Sequence, residues 1–317
     1  MVRSRDPSEL VAAAVAGDRG AVARLLSLVE RGGQGARDAG RLTYPHGGSA
    51  YTVGITGAPG AGKSTLTNRL IEVVRASGSE VGVLAIDPSS PFTGGAILGD
   101  RVRMQDHALD DGVFIRSMAT RGHLGGLALA TPQAVRVLDA AGFPWVLIET
   151  VGVGQVEVEI AGAADTTVVV VNPGWGDAVQ ANKAGLLEVA DVFVINKADR
   201  PGADATARDL EDALSLATRE RHRPAIISTV ASSGEGVADL WSAIVAHRAY
   251  LESSGELVRR RGRRIDDELR EIVVRRLEQR ADGLSSGSDF ARLHDDVLSR
   301  RLDPYAAADE ILGGLDG

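Results

Sequence analysis

The sequence contains no cysteine. That absence excludes a disulfide framework and any thiolate-bound metal. It contains no apolar run near the length of a bilayer span, which excludes a helical membrane anchor within it. An excess of positive charge is also missing. The 35 basic residues stand against 43 acidic ones, a net charge of −8, so no global field calls for nucleic acid or an anionic membrane. Residues 1–7 have no apolar core behind them, so no signal peptide is expected and a cytoplasmic address is the default. Lysine is nearly absent. Only Lys63, Lys183 and Lys197 occur, and every other basic residue is arginine. An ammonium is a compact point charge that a planar guanidinium cannot replace in a tight site, and all three lysines fall in motifs.

The first of these motifs organises the chain. Gly57-Ala58-Pro59-Gly60-Ala61-Gly62-Lys63-Ser64-Thr65 fits the phosphate-binding pattern G-x-x-x-x-G-K-[ST] without a gap. Residues 51–56 before it read as a short buried strand. Leu66, Leu70, Ile71 and Val74 after it recur at helical spacing, up to Ser77-Gly78. Glycines let successive backbone N–H groups turn inward on phosphate oxygens, and the helix N-terminus adds partial positive charge. Lys63 is expected on the β- and γ-phosphates, and the Ser64 hydroxyl on Mg²⁺.

The rest of the chain arranges itself around that loop. Residues 1–45 read as an N-terminal helical segment, with one or two helices over 8–31 broken near Gly17-Asp18-Arg19-Gly20 and ended at Gly32-Gly33-Gln34-Gly35. Residues 46–250 alternate helical stretches with apolar runs at 51–56, 81–86, 113–115, 145–148, 166–171, 192–195 and 225–228. Continuous β-branched runs suit strands covered on both faces. The expected fold is therefore α/β, a P-loop NTPase with a mostly parallel sheet, helices on both faces, and helical extensions at both ends. Ligands then bind at the carboxyl ends of the strands. Residues 251–317 read as a helical arm, with a long amphipathic helix over 257–280 and shorter ones over about 289–301 and 304–313. Its apolar stripe needs a cover, and a second copy of the chain is the expected one. The run Arg259-Arg260-Arg261-Gly262-Arg263-Arg264 is followed at once by Asp266, Asp267, Glu268 and Glu271. A solvated, self-paired helix face is expected there in preference to a phosphate or RNA site.

Further motifs follow apolar strands. Asn196-Lys197-Ala198-Asp199 matches the N-K-x-D pattern of guanine-specific proteins. The Asp199 carboxylate can accept from N1–H and the exocyclic amine of guanine; adenine offers neither donor and is rejected. Asn196 is expected to tie the motif to the phosphate loop, and the Lys197 stem to lie over the base. The loop Ser228-Thr229-Val230-Ala231 can offer N–H groups to the guanine oxygen. Glu149-Thr150-Val151-Gly152 can hold the Mg²⁺ shell through Glu149 and meet the γ-phosphate through the Gly152 N–H. Asp87 and Asp100 are hard oxygen donors suited to Mg²⁺, Asp100 at the end of the glycine-rich stretch 94–99. Arg101 and Arg103 follow; one could neutralise charge developing on the transferred phosphoryl group, but surface salt bridges are the expected reading for each. Pro173-Gly174-Trp175-Gly176-Asp177, with Gln180 and Lys183 beyond it, reads as a partner contact or a mobile loop, or as core packing of Trp175.

Assembled, these residues resemble the MeaB/ArgK family of GTPases, the methylmalonyl-CoA mutase-associated proteins. The matching text runs from Asp87-Pro88-Ser89-Ser90 to Gly99-Asp100-Arg101-Val102-Arg103-Met104. It continues through Arg121-Gly122-His123-Leu124-Gly125-Gly126, Glu149-Thr150-Val151-Gly152-Val153-Gly154-Gln155, and Gly176-Asp177 to Asn196-Lys197-Ala198-Asp199. Val156 departs from the small polar residue expected there. The resemblance implies a dimeric GTPase that acts as chaperone of an adenosylcobalamin-dependent acyl-CoA mutase, gating its cofactor loading and protecting it. It implies Mg²⁺ among Ser64, Asp87, Asp100 and Glu149, catalysis through Lys63, Asp100, Glu149 and Gly152, and a third switch over 174–188. Two other classes compete. A P-loop kinase would use the same phosphate loop, but N-K-x-D argues against ATP. A metal-delivery GTPase would want cysteine and clustered histidine, whereas His46, His107, His123, His222, His247 and His294 show no ligand spacing.

Overall fold

A computed structural model describes residues 6–88, 107, 109–120, 124–150, 162–174, 185, 187–216, 222–284 and 288–313. The chain forms two compact units, Met1–Arg264 and Ile265–Gly317. No helix among the described residues is long and apolar enough to cross a membrane.

The first unit is built on seven parallel strands: β1 (Tyr51–Gly57), β2 (Val81–Pro88), β3 (Val113–Thr120), β4 (Trp145–Thr150), β5 (Thr166–Val171), β6 (Val192–Asn196) and β7 (Ala225–Thr229). Their order across the sheet is β3-β2-β4-β1-β5-β6-β7. From β1 the chain first winds one way and then returns to wind the other, so the order reverses beside β1, where open α/β sheets hold their ligands. Among the described residues the main helices of this unit are α1 (Pro7–Val15), α2 (Arg19–Arg31), α3 (Gly33–Thr43), α4 (Lys63–Ala76), α5 (Leu124–Ala140), α6 (Ala203–Leu216), α7 (Val237–Ser253) and the first turns of α8 (Glu256–Leu284).

Alternation along each strand sends neighbouring side chains to opposite faces. Val53, Ile55, Val83, Leu147, Val168, Val170 and Val194 pack with Leu66, Leu70 and Ile71 of α4 and Leu240 and Ile244 of α7. Leu84, Ile86, Val146 and Ile148 face the other way, onto Leu10, Leu25 and Leu26 of the N-terminal helices and Leu138 of α5. Val169, Val171, Phe193 and Ile195 pack with Leu210 and Leu214 of α6. Each fully buried Leu or Ile here contributes about 1.5–3 kcal/mol. Both faces are thus covered, which is why the strands read as unbroken apolar runs.

Where one or two N-terminal helices were expected, three form. Gly32 (φ 72) caps α2, and Gly33–Thr43 then resumes as α3. Its buried face is Ala36, Ala39, Gly40 and Thr43, too small to register as an apolar period. Asp139 of α5 holds the approach to β1, accepting from the N–H groups of Gly48 at 2.5 Å and Ala50 at 2.9 Å and from Ser49 Oγ at 3.1 Å.

At the opposite end of the sheet from the phosphate loop, Asp165 and Asp191 precede β5 and β6. Asp165 is 1% exposed. It accepts from the Thr52 N–H at 3.0 Å, from Arg261 at 2.7 Å and from Arg264. Arg260 makes a two-pronged bond to Asp191, 2.9 Å on each side. Burial works against the Asp165 charge, but the hydrogen bond from Arg261 and the charges of Arg264 and Arg261 outweigh it and hold its carboxyl below the usual range. The arginine run therefore divides. Arg259 and Arg263 pair with Glu256 on their own helix, as a self-paired face would. Arg261 and Arg264 instead leave the helix, and Arg260 does so while keeping a longer pairing with Glu256 at 3.8 Å, because carboxylates shielded at the strand starts require a cationic partner.

In the second unit, α9 (Ser288–Leu298) packs against α10 (Pro304–Gly313). Asp303 caps α10 through the N–H groups of Tyr305 and Ala306. Along α8, Ile265, Leu269, Val273 and Leu277 form a stripe spaced by four residues and are 43–57% exposed.

The foot of the sheet also holds His247, 1% exposed. Its Nδ1 meets Thr166 Oγ1 at 2.8 Å, and that hydroxyl meets Tyr51 OH at 2.6 Å. Burial, only partly offset by the Asp191 carboxylate, pushes its pKa down from 6.5 to about 4. The unfolded chain therefore takes the proton first as pH falls, and stability present above pH 6.5 is lost progressively down to about pH 4. Urea unfolding should show a decline on the order of 3 kcal/mol across that window, and His247→Asn should flatten it. A wild-type curve already flat there would contradict the assignment.

Candidate functional site

At the carboxyl end of β1 the backbone enters a turn that only glycines permit at two points. Gly57 has φ 134, and a Cβ on it would overlap the Val170 carbonyl of β5. Gly62 has φ 91, and a Cβ on it would overlap the Asn196 amide nitrogen. The loop thus lies flush against β5 and the end of β6. Helix α4 begins at Lys63 with no side-chain cap, so its first N–H groups face the loop, an arrangement suited to an anion. Lys63 is 6% exposed. Its Nζ donates to the carbonyls of Gly57 at 2.7 Å and Ala58 at 3.1 Å. The ammonium is therefore curled within the loop that phosphates would fill. Pro59, Gly60 and Thr65 are exposed around it, and Ala61 is buried beneath.

Ser64 Oγ donates to Glu149 Oε1 at 2.5 Å. Glu149, in β4, is 1% exposed. Strand β4 lies beside β1, with Ile55 opposite Glu149, and this register brings a strand-end carboxylate to the first turn of α4. A hydroxyl and a carboxylate in contact are the hard oxygen donors that Mg²⁺ accepts alongside phosphate and water, so these residues fit the ion. Asp87 follows Ile86 of the neighbouring strand β2, which is opposite Thr150 of β4. The Asp87 side chain lies outside the described part of the structure. So do Asp100 and the stretch 94–99, Arg101, Arg103, Gly152, Val156, and the segment carrying Trp175, Asp177, Gln180 and Lys183.

The second half of the site starts where β6 ends. Asn196 is 2% exposed. Its Nδ2 donates to the Ala61 carbonyl at 2.8 Å, while its Oδ1 accepts from Thr229 Oγ1 at 3.1 Å and the Ala231 N–H at 3.0 Å. One amide thus fastens the phosphate loop to the loop after β7. Lys197 turns to φ 60, and its Nζ donates to the Gly60 carbonyl at 2.6 Å. Its stem runs alongside Gly62. The Ala198 N–H donates to the Thr229 carbonyl at 3.0 Å, which fixes the turn carrying Asp199. Asp199 is exposed here rather than buried; a base stacked on Lys197 would cover it. Val230 N–H donates to the Glu235 carbonyl at 3.0 Å.

Sequence reasoning did not find Arg69. It belongs to α4 and bonds the carbonyls of Ala231 at 3.3 Å and Ser232 at 3.1 Å. In the sequence it reads as half of an ordinary Arg69–Glu72 surface pair, and nothing local marks its second contact.

Three comparisons bear on the site. A family profile described as methylmalonyl Co-A mutase-associated GTPase MeaB matches residues 22–285. A Pyrococcus abyssi protein provisionally named a GTPase is 52% identical over 98% of this chain and 97% of its own. The GTPase ArgK of Escherichia coli is 38% identical over 80% of this chain and 77% of its own. The mouse protein named methylmalonic aciduria type A homolog, mitochondrial, is 35% identical over 83% of this chain and 65% of its own. Among solved structures, that of a LAO/AO transport system kinase superposes with TM-score 0.73, 27% identity and full coverage of both chains.

Gly57→Ala should destabilise the first unit by at least about 2 kcal/mol, since it adds both a positive-φ penalty and a clash with backbone. Denaturant titration measures this. A wild-type midpoint would mean the loop does not lie against β5.

Proposed function

The chain belongs to the MeaB family of methylmalonyl-CoA mutase-associated GTPases, and from that premise we propose that it chaperones an adenosylcobalamin-dependent acyl-CoA mutase through a GTP cycle. The catalytic core is that of a P-loop GTPase, which hydrolyses GTP to GDP and phosphate. In our reading the triphosphate lies along Gly57 to Thr65. Lys63 exchanges its two loop carbonyls for β- and γ-phosphate oxygens. Ser64 and Glu149 would hold Mg²⁺, with Asp87 and Asp100 as further oxygen donors to it. When bound, the ion neutralises charge that develops on the phosphoryl oxygens. The Gly152 N–H meets the γ-phosphate. Water attacks phosphorus in line, its oxygen forms the new bond as the bridging bond to GDP breaks, and the water proton passes to the phosphate.

At the other end, Asp199 accepts from N1–H and the 2-amine of guanine, Lys197 covers the ring, and Thr229, Val230 and Ala231 line the 6-oxo edge. One observation carries this reading: the buried Asn196 side chain is bonded both to the phosphate loop and to the loop after β7. Two halves fastened by one amide suit a ligand with phosphates at one end and a base at the other.

The mutase reading is supported by the family description and by the name of the mouse relative. In it the protein works in the cytoplasm as a homodimer, with residues 251–317 as the dimerisation arm and the stripe from Ile265 to Leu277 its seam. In it turnover alone is slow and the partner accelerates it, since no motif of the sequence supplies an evident glutamine or arginine to complete the site. The solved relative is named a transport system kinase, which keeps a second reading in view, with an acceptor hydroxyl in place of water.

Methylmalonyl-CoA mutase added to the full chain should raise GTP hydrolysis at least about tenfold; equal rates with and without it would reject partner activation. Asp199→Asn should cut the GTP-over-ATP preference about 10- to 100-fold. An unchanged ratio, or tight ATP binding by the wild type, would return the kinase reading to first place.

A further inference from the structure

Arg69 does more than decorate the surface of α4. Its Nε donates to the Ala231 carbonyl at 3.3 Å and its Nη2 to the Ser232 carbonyl at 3.1 Å. Its Nη1 is gripped by both oxygens of Glu72, at 3.0 and 2.9 Å. All three nitrogens of the guanidinium are thereby spoken for, and its plane is fixed.

Holding two successive carbonyls has a geometric result. Peptide units are planar and trans, so each carbonyl points opposite to the N–H of its own unit, and the described chain has no cis peptide bond. The Ser232 carbonyl is held toward α4, and the N–H of the same unit, on Ser233, turns back to the Val230 carbonyl at 3.0 Å and closes the turn. The Ala231 carbonyl is held toward α4 as well, so the Ser232 N–H points away from that helix. Ala231 N–H is taken by Asn196 Oδ1, and Val230 N–H by the Glu235 carbonyl. Among the described residues the Ser232 N–H has no acceptor. Within residues 230–235, all described, it is the N–H left without an acceptor.

We propose that Arg69 is a positioning residue for base recognition. By clamping the Ala231 and Ser232 carbonyls against α4, it aims the Ser232 N–H at the 6-oxo group of a guanine nucleotide. The inference rests on the guanine reading above and assigns the 6-oxo donor within it. Arginine suits the task because its fork spans two carbonyls while Glu72 holds the third nitrogen; lysine could hold only one. The side chain is 36% exposed, so its loss need not unfold the unit.

The test uses the full-length chain and three triphosphates. ITP lacks the 2-amine and reports on Asp199. The 6-thio analogue of GTP keeps N1–H and the 2-amine but replaces the oxygen with sulfur, a weak acceptor. In Arg69→Met, GTP affinity should fall about fivefold to tenfold, the preference for GTP over its 6-thio analogue should shrink by the same factor, and the preference over ITP should stay. The loss should appear in KM, with kcat held within about twofold. Arg69→Lys should recover part of it. A 6-thio ratio unchanged in Arg69→Met would overturn the proposal, as would a parallel fall in kcat and in both ratios. If Asp199→Asn removes the ITP discrimination while Arg69→Met leaves the 6-thio ratio intact, only the Arg69 assignment fails. If the wild type shows no preference over ITP, the guanine reading fails and this inference falls with it.

Discussion

The Asn196 side chain is the constraint on which the site depends. A primary amide offers two donors and one acceptor oxygen with two lone pairs. Here the oxygen is saturated by Thr229 and Ala231, and a donor is committed to Ala61. Because the group is buried, every one of those bonds costs free energy to break. The end of β6, the phosphate loop and the loop after β7 therefore move as one body. Gly62 must be glycine for the same reason, since the space its Cβ would take is filled by that amide.

The parts of this arrangement that were readable in the sequence are those whose chemistry is contiguous. Gly57 to Ser64 form a backbone device, and its glycines and lysine sit in one unbroken stretch. Asn196 and Asp199 follow a strand whose apolar run is unmistakable. What could not be read depends on contacts between distant residues. Arg69 looks like a solvated helix residue because its second contact is 162 positions away. Arg260, Arg261 and Arg264 sit in a run whose own acidic neighbours suggested local pairing, and their true partners, Asp165 and Asp191, lie at strand starts where a lone carboxylate carries no signal. Helix α3 escaped because glycine and alanine pack closely without forming an apolar period.

The sheet carries polar structure at both ends, and the two differ in kind. At the carboxyl ends the groups are held by loops and leave room: Lys63 and Lys197 rest on loop carbonyls that a phosphate or a base could displace. At the amino ends the groups are closed on one another. Asp165, Asp191, Thr166, Tyr51 and His247 form one buried network sealed by three arginines. Strands β1, β5 and β6 are thus fixed at their feet by charge pairs. A rigid foot keeps the register of these three strands, and register decides whether Gly57, Asn196 and the loops beyond them meet.

The order of strands carries a consequence for how the protein is made. Strand β1 emerges early from the ribosome, yet both of its neighbours come much later, and the Ala61 carbonyl waits for an amide 135 residues downstream. Until β4 and β5 have been translated, the central strand lacks its neighbours, and its apolar residues must be shielded by nascent helices or by cellular folding factors. The capacity to grip a nucleotide is therefore acquired late in synthesis, when the middle of the sheet closes.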